Sequence, residues 1–463
     1  MSTDMQHRGS VSAAGPQPSE RNGFTTRWAH AVAWVLVYLF LAAFPLLALL
    51  IGPMPKGGGY AWAFAMALGF GGLAIMGLQF VLTARFRRAT APFGTDIIYY
   101  FHRWAAIGGV ALIVVHYVVL RVSFASALEP ANPMSAPWHM TAGRISLGLF
   151  LIVIVTSLWR KKLGTDYDRW RVWHGVMAVV AVVLAIMHIE GVGHYTWAPW
   201  KGAVWIAYSG VWLLVLGYIR VVKPLRLLSH PYRVTDVRQE TATAWTVTVA
   251  PDKPPRLSFR PGQFAWLTLG SSPFRAKEHP FSFSGSAEDP DSLRFTIKEL
   301  GDFTRTIKDV KPGQVAYVDG PHGVFTTDFH PHATGFVMVA GGVGVAPMMS
   351  MLRTLADRGD RRPVYLIYGN ARLDGALFRD ELEALKGRLA LSLIHAVEEP
   401  TPGWSGEVGY VTENMLRRVL PPALAGYVCF LCGPKAMTDS VQASLRQMGV
   451  PLRRIHFELF EMV

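Results

Sequence analysis

The chain has 463 residues, 51% of them hydrophobic, a formal net charge of +13 and only two cysteines, Cys429 and Cys432. Two cysteines exclude a disulfide framework and an all-cysteine iron–sulfur centre. The positive charge does not indicate nucleic-acid binding, because the basic residues flank apolar runs and no basic, aromatic-interleaved stretch occurs in a soluble module.

The N-terminal segment is rich in Ser, Pro, Gly and Gln, so residues 1–27 are expected to be a disordered cytoplasmic tail. Six apolar runs follow, near 30–51, 61–83, 97–120, 144–159, 173–190 and 203–221. Each approaches the length of the hydrocarbon layer, which predicts a six-helix transmembrane bundle over 28–222. Arg85, Arg87 and Arg88 follow the second run, Arg160, Lys161, Lys162, Arg169 and Arg171 separate the fourth and fifth, and Arg220, Lys223 and Arg226 follow the sixth. The opposite loops carry Lys56, Arg121 and Lys201. The positive-inside rule then places both termini in the cytoplasm, with Trp138, Trp197 and Trp200 in an outer interfacial belt.

His102 and His116 lie fourteen residues apart on the third run, and His174 and His188 fourteen apart on the fifth. Fourteen residues are two heptads, about 21 Å of helix, so both histidines of a helix face one neighbour. Two such helices form two facing His–His pairs at different depths. Imidazole is costly in lipid unless it has a partner. Helix-to-helix hydrogen bonding explains one such residue; two matched pairs predict haem iron held from both faces. Such iron has no open position and suits electron transfer. Gly108, Gly109 and Gly175 can relieve crowding beside a flat macrocycle or serve ordinary helix packing. His194 and Arg121 are weaker candidates for contact with a propionate or an acceptor.

From Tyr232 the pattern changes to short alternating segments. Strands are expected at 233–237, 244–249, 264–269 and 293–297, which suggests a small antiparallel barrel over 228–330. Within it, His279-Pro280-Phe281-Ser282 can present Ser282 and backbone groups to a flavin ring. Lys298 leads into Gly301-Asp302-Phe303-Thr304, whose amides and Thr304 can meet a pyrophosphate at a helix start. Residues 332–463 alternate strand and helix. Gly341-Gly342-Val343-Gly344-Val345-Ala346-Pro347 follows a strand and opens a helix, the context of a nucleotide-phosphate loop. Asn370 and Arg372 follow the next strand, where Arg372 can pair with an adenosine 2′-phosphate. Cys432-Gly433-Pro434 ends a later strand, at the edge where such sheets bind ligands. The C-x-x-C spacing reads as a buried strand end, not as a dithiol.

Over roughly residues 60–463 these features resemble the ferric reductase and NADPH oxidase superfamily, its bacterial NADPH oxidase-like members above all. The resemblance implies a ferredoxin-reductase-type FAD barrel and an α/β NAD(P)-binding domain behind the bundle. It implies FAD, two b-type haems held by His102, His116, His174 and His188, and NADPH or NADH as donor. His279 to Ser282 is similar to the flavin motif, Gly301 and Thr304 to the flavin-pyrophosphate segment, Gly341 to Pro347 to the nicotinamide-nucleotide loop, and Cys432-Gly433-Pro434 to the segment beside the nicotinamide. Cys432 is the implied catalytic residue, with Phe460 as the aromatic over the flavin. No aromatic lies between His174 and His188, so a bridge between haems has to come from another helix. The implied activity is electron transfer across the cell (inner) membrane, within a lipid bilayer, to oxygen (giving superoxide) or to ferric iron. Two other readings are an electron donor to an extracytoplasmic partner protein and a haem-binding membrane sensor.

Overall fold

Hydropathy governs the first half of the chain. The computed structural model describes residues 18–52, 58–86, 93–128, 130, 132–275 and 277–458. Helices α1 (Pro18–Leu50), α2 (Gly59–Thr83), α3 (Thr95–Ser123), α4 (Trp138–Leu158), α5 (Tyr167–Val192) and α6 (Pro199–Gly217) are each long and apolar enough to cross a membrane. Large apolar side chains such as Leu36, Val122 and Leu214 point outward along them, as expected of helices surrounded by hydrocarbon. This is a multi-pass membrane bundle.

The helices overrun the apolar runs at their polar ends. α4 begins at Trp138 and α5 at Tyr167, each about two turns ahead of the apolar stretch. The apolar run marks only the hydrocarbon layer, whereas the backbone continues helical wherever its ends are satisfied. Asp166 does this for α5 by accepting from the Arg169 amide at 3.0 Å. α1 already starts at Pro18, so residues 18–27 of the expected tail are helical; residues 1–17 lie outside the described residues, as do Lys56, Arg87 and Arg88. Lys201 is not a loop charge. It is buried near the start of α6 and donates to the Leu49 carbonyl at 2.7 Å. α6 continues through a π turn at Tyr218–Val222 into a last helix, Lys223–Ser229, which reaches the soluble half.

That half begins with an antiparallel sheet of β1 (Tyr232–Thr241), β2 (Ala244–Pro251), β3 (Phe264–Leu269), β4 (His279–Ser282), β5 (Leu293–Lys298) and β6 (Val315–His322), in the order β4-β3-β6-β1-β2-β5. The barrel is not closed by a full ladder. Its edges meet at a bridge between Phe283 and Phe295, at the Ser284 amide, which donates to the Arg294 carbonyl at 2.8 Å, and at the Thr296 hydroxyl, which donates to Ser284 Oγ at 2.9 Å. Phe283 stacks on Phe259 with ring centres 4.1 Å apart and fills the interior. β6 is not among the expected strands; Gly320-Pro321 lies inside it. The strand absorbs the pair at a register shift opposite β3, and its residues alternate in burial on either side.

The remaining residues form a parallel sheet of β7 (Gly335–Gly341), β8 (Val364–Asn370), β9 (Leu391–Val397), β10 (Glu407–Val408), β11 (Tyr427–Cys432) and β12 (Ile455–Glu458), in the order β10-β9-β8-β7-β11-β12. β7 is buried on both faces, as a central parallel strand must be. The chain moves outward from β7 on one side and returns through β11 on the other. A crevice therefore opens at the carboxyl ends of β7 and β11.

Candidate functional site

α3 and α5 are parallel, since α4 turns the chain between them, and each carries histidines at its eighth and twenty-second residues. The His102 and His174 rings face each other with centres 6.5 Å apart. A metal ion bonded to both at about 2.0–2.1 Å would leave the ring centres roughly 6–6.5 Å apart. His174 Nδ1 lies 3.1 Å from Ser157 Oγ, whereas His102 Nδ1 is buried with no hydrogen-bond partner among the described residues. At the far level, His116 Nδ1 contacts the Ala65 carbonyl at 2.7 Å and His188 Nδ1 the His139 carbonyl at 2.9 Å. A carbonyl only accepts, so each Nδ1 carries the proton and each Nε2 keeps a free lone pair. This is how proteins orient metal-binding imidazoles.

Two glycines make those orientations fit. A Cβ on Gly69 would come within 3.0 Å of His116 Nδ1, and one on Gly143 within 2.8 Å of the His188 ring. Neither was apparent in the sequence, where glycine in an apolar helix reads as generic packing. The glycines singled out there serve other ends: Gly108 borders open space, Gly109 packs on α2, and Gly175 lies against Arg220. A cavity of about 1320 Å³ reaches His102 and His174 from the side of the soluble half. Arg103, Arg160, Lys161, Arg220, Arg275 and Lys277 lie on its wall, a basic lining suited to carboxylate groups. The interior also supplies an aromatic at mid-depth. Phe150 of α4 is 1% exposed and packs in one cluster with Val110 of α3 and with Ala181 and Val182 of α5, about midway between the two histidine levels. His194 stands edge-on to Trp62 with ring centres 5.5 Å apart at the far end of the bundle.

The flavin-motif residues lie where the barrel meets the bundle. His279 stacks on Phe303 with ring centres 3.9 Å apart, and its Nε2 lies 3.7 Å from Asp168 of α5. Phe281 also stacks on Phe303; Pro280 is half-buried and Ser282 buried on β4. Lys298 ends β5. The pyrophosphate expectation is modified. The helix at Asp302–Arg305 is a single turn, and Thr304 Oγ1 already accepts from the Leu300 and Gly301 amides at 2.8 Å each.

The same junction holds buried charges that the sequence did not reveal as a group. Glu278, just before β4, accepts from both Arg85 and Arg171. Asp319 of β6 pairs with Lys223 at 2.6 Å and with Arg85 at 3.5 Å. Arg85 adopts φ 56°, a left-handed conformation that costs a non-glycine residue about 1 kcal/mol or more. Its guanidinium lies 4.2 Å from the centre of the Trp266 ring. Burial alone would raise the Glu278 pKa, but Arg85 and Arg171 outweigh it and hold the group down to about 2. Burial likewise works against the Asp319 carboxylate, yet His322, Arg85 and Lys223 keep it well below the usual range. A depressed folded-state pKa contributes stability that is fully present above the unfolded value, about 4, and is lost as pH falls toward the folded value. The apparent melting temperature in detergent is therefore expected to be level from pH 7 to 5 and to drop steeply below about pH 4. A profile still level at pH 3 would show that these carboxylates are not paired in solution.

In the nucleotide domain the predicted loop and the cysteine segment converge. β7 and β11 pair Ala340 with Cys432, which sets Gly341–Gly344 against Cys432-Gly433-Pro434 across the crevice. A Cβ on Gly344 would stand 2.2 Å from the Cys432 carbonyl oxygen, and one on Gly341 2.8 Å from Pro434. Val343 packs partly buried on the core; Val345, Ala346 and Pro347 are buried in the first turn of α7 (Val345–Asp357). Asn370 ends β8, and Arg372, half exposed, pairs with Asp374 at 3.3 Å and Glu399 at 4.0 Å. Cys429 and Cys432 belong to core clusters on opposite faces of the sheet, so they form no dithiol. Burial raises the Cys432 thiol well above its ordinary pKa, helped by Glu458, its register partner on β12. Glu458 thus joins the crevice by tertiary pairing alone. Phe460 lies outside the described residues.

Three family models match the chain in order: a ferric reductase like transmembrane component over 68–185, an FAD-binding domain over 240–314 and an oxidoreductase NAD-binding domain over 338–443. The chain has the architecture of the ferric reductase and NADPH oxidase superfamily. It is an oxidoreductase with a membrane-embedded half and ferredoxin-reductase-type FAD- and NAD-binding domains; His102, His116 and His174 lie within the transmembrane match, and His188 follows just beyond its end. Curated relatives include the propane 2-monooxygenase reductase component of Rhodococcus jostii (29% identical over 237 residues, 49% of this chain and 62% of the relative). The glycine betaine monooxygenase reductase subunit of Chromohalobacter salexigens is 30% identical over 241 residues, 50% of this chain and 64% of the relative. The chain thus spans less than two thirds of the length of these relatives. Among solved structures, the cytochrome b5 reductase domain of Ulva prolifera nitrate reductase is 21% identical with a TM-score of 0.44, covering 49% of this chain and 96% of that one. The flavohemoglobin of Malassezia yamatoensis is 18% identical with a TM-score of 0.47, covering 86% and 97%.

Proposed function

We propose that this chain carries electrons from cytosolic NAD(P)H through FAD and two bis-histidine haems to an acceptor on the outer side of the cell membrane, with both termini in the cytoplasm. The observation that carries this reading is the matched histidine pairs. They sit at identical helix positions, the outer two have Nδ1 engaged and Nε2 free, and the inner two are spaced for a shared metal. When bound, flavin converts two-electron into one-electron chemistry and six-coordinate haem relays single electrons.

The chain supplies position and electrostatics. His102 with His174, and His116 with His188, hold iron at two depths. Gly69 and Gly143 let the outer rings sit flush against α2 and α4, and Phe150 fills the space between the levels. The basic residues around the inner cavity favour propionates there. On the soluble side, His279 to Ser282 and the segment from Lys298 to Thr304 border the flavin. Gly341 to Pro347, Asn370 and Arg372 meet the nucleotide, and Cys432-Gly433-Pro434 flanks the nicotinamide, with Phe460 as the candidate cover of the flavin. The test is spectroscopy of the purified protein. Two low-spin bis-imidazole haems and one flavin per chain are expected, and protein that binds flavin but no haem would end this reading.

Oxygen and ferric iron rank first as acceptors. Likeness to proteins named as reductase components favours a second reading, an electron donor to an extracytoplasmic protein. Steady turnover of NAD(P)H without added protein supports the first; negligible turnover supports the second. Arg372 directs the preference toward NADPH, because its exposed ion pairs are weak enough to yield to a 2′-phosphate. Arg372→Ala is expected to lower kcat/KM for NADPH by about tenfold and leave NADH unaffected. Equal wild-type values for the two donors would remove this preference.

A further inference from the structure

The buried charges at the junction connect two positions that matter to each other. Arg171 lies three residues, one helical turn, before His174 on α5, and Glu278 directly precedes His279 at the start of β4. One carboxylate therefore ties the helix turn that bears the inner histidine to the strand that bears the flavin motif. The grip is specific in direction. Arg85 and Arg171 both bond to the same oxygen, Glu278 Oε1, and Arg171 also donates to the Glu278 carbonyl at 3.3 Å. Trp266 of β3, the strand beside β4, covers both guanidinium groups, at 4.2 Å and 5.7 Å. The side chains of Arg85, Glu278 and Arg171 are only 6%, 17% and 20% exposed. Exposed pairs tolerate many geometries, whereas a buried carboxylate shared by two guanidinium groups tolerates few. An apolar contact would join the halves as firmly without setting their register.

We propose that Glu278 is a positioning residue that sets the separation between the flavin strand and the His102–His174 pair, and with it the rate of electron transfer from flavin to the inner haem. The proposal rests on the reading that these histidines hold haem and that the barrel holds FAD. NAD(P)H is oxidised by two electrons as the flavin is reduced. Bound FAD would return those two electrons singly, each reducing one ferric haem to ferrous, with its protons released to solvent. Transfer between two redox centres decays exponentially with their separation, so a displacement of the flavin strand slows this step while leaving hydride transfer to the flavin intact.

The test is anaerobic stopped-flow spectroscopy of full-length Glu278→Gln and Glu278→Asp in nanodiscs. Glu278→Gln is expected to slow haem reduction by the flavin several-fold, with haem content, FAD content and flavin reduction by NAD(P)H unchanged. Glu278→Asp keeps the charge one methylene shorter and is expected to be intermediate; it carries the test alone if the Gln variant does not accumulate. A second readout needs no cofactor. In cofactor-free protein, hydrogen exchange should quicken in the Gln variant at 168–174 and 279–283 together and stay the same in the β7–β12 sheet. Unchanged flavin-to-haem transfer in a fully loaded variant would overturn the proposal, as would equal slowing of flavin reduction. A wild-type protein that binds FAD but no haem would remove the underlying reading and this proposal with it.

Discussion

His188→Ala is expected to halve the haem content from two per chain to one and to abolish reduction of any acceptor on the outer side. Flavin reduction by NAD(P)H and reduction of the inner haem should persist. The argument starts from the bonding of His188. Its Nδ1 is held by the His139 carbonyl at 2.9 Å, and its ring lies against Gly143, so Nε2 has one direction available. Alanine would remove that nitrogen, the proposed ligand, and leave His116 alone at its level. A single imidazole binds haem weakly and opens a coordination position, which changes a low-spin spectrum to high-spin. Stopped-flow spectra of the variant separate the steps. A fast flavin phase and one low-spin haem phase are expected, with outer acceptor reduction lowered at least about a hundredfold. Outer activity equal to wild type would show that electrons do not cross at this residue. Gly143→Val is the companion change. Its side chain would displace the His188 ring without removing the ligand, and a partial loss of the same haem is expected.

Gly344→Ala is expected to lower kcat/KM for NAD(P)H by about ten- to a hundredfold while FAD and haem contents stay at wild-type levels. The added methyl carbon would stand 2.2 Å from the Cys432 carbonyl oxygen and 2.6 Å from its carbonyl carbon. Both are backbone atoms at the end of β11, so no flexible side chain can move aside. The loop and the cysteine segment must separate, at a cost of about 1–3 kcal/mol. That separation falls in the crevice between β7 and β11, where a nucleotide meets such a sheet. Gly342→Ala provides a contrast. Its methyl would meet open space, but its φ of 52° lies in the left-handed region, so about 1–2 kcal/mol is expected from backbone strain alone. Flavin reduction followed at increasing NADPH concentration measures both. Wild-type kinetics in Gly344→Ala would show that the loop does not sit against Cys432 during turnover.

Local patterns account for what was legible along the chain. Six membrane helices follow from apolar length, and the four histidines from a spacing of two heptads on helices that later prove parallel. The strand–glycine–helix order around Gly341 identifies the nucleotide half, because each of these signals is carried by residues near one another in sequence. Tertiary structure decided the rest. Glu278 meets its partners Arg85 and Arg171 across 193 and 107 residues, a pairing that no local period encodes. Gly69 and Gly143 matter only because helix packing sets histidine rings against them. Phe150 enters the space between the histidine levels because α4 packs beside α3 and α5. Glu458 reaches Cys432 only through the pairing of β12 with β11, and β6 exists as a strand only because β1 and β3 supply its hydrogen bonds. Hydropathy and helical period are properties of a segment; contacts between distant segments depend on how the whole chain packs, and that is where the junction between the two halves was determined.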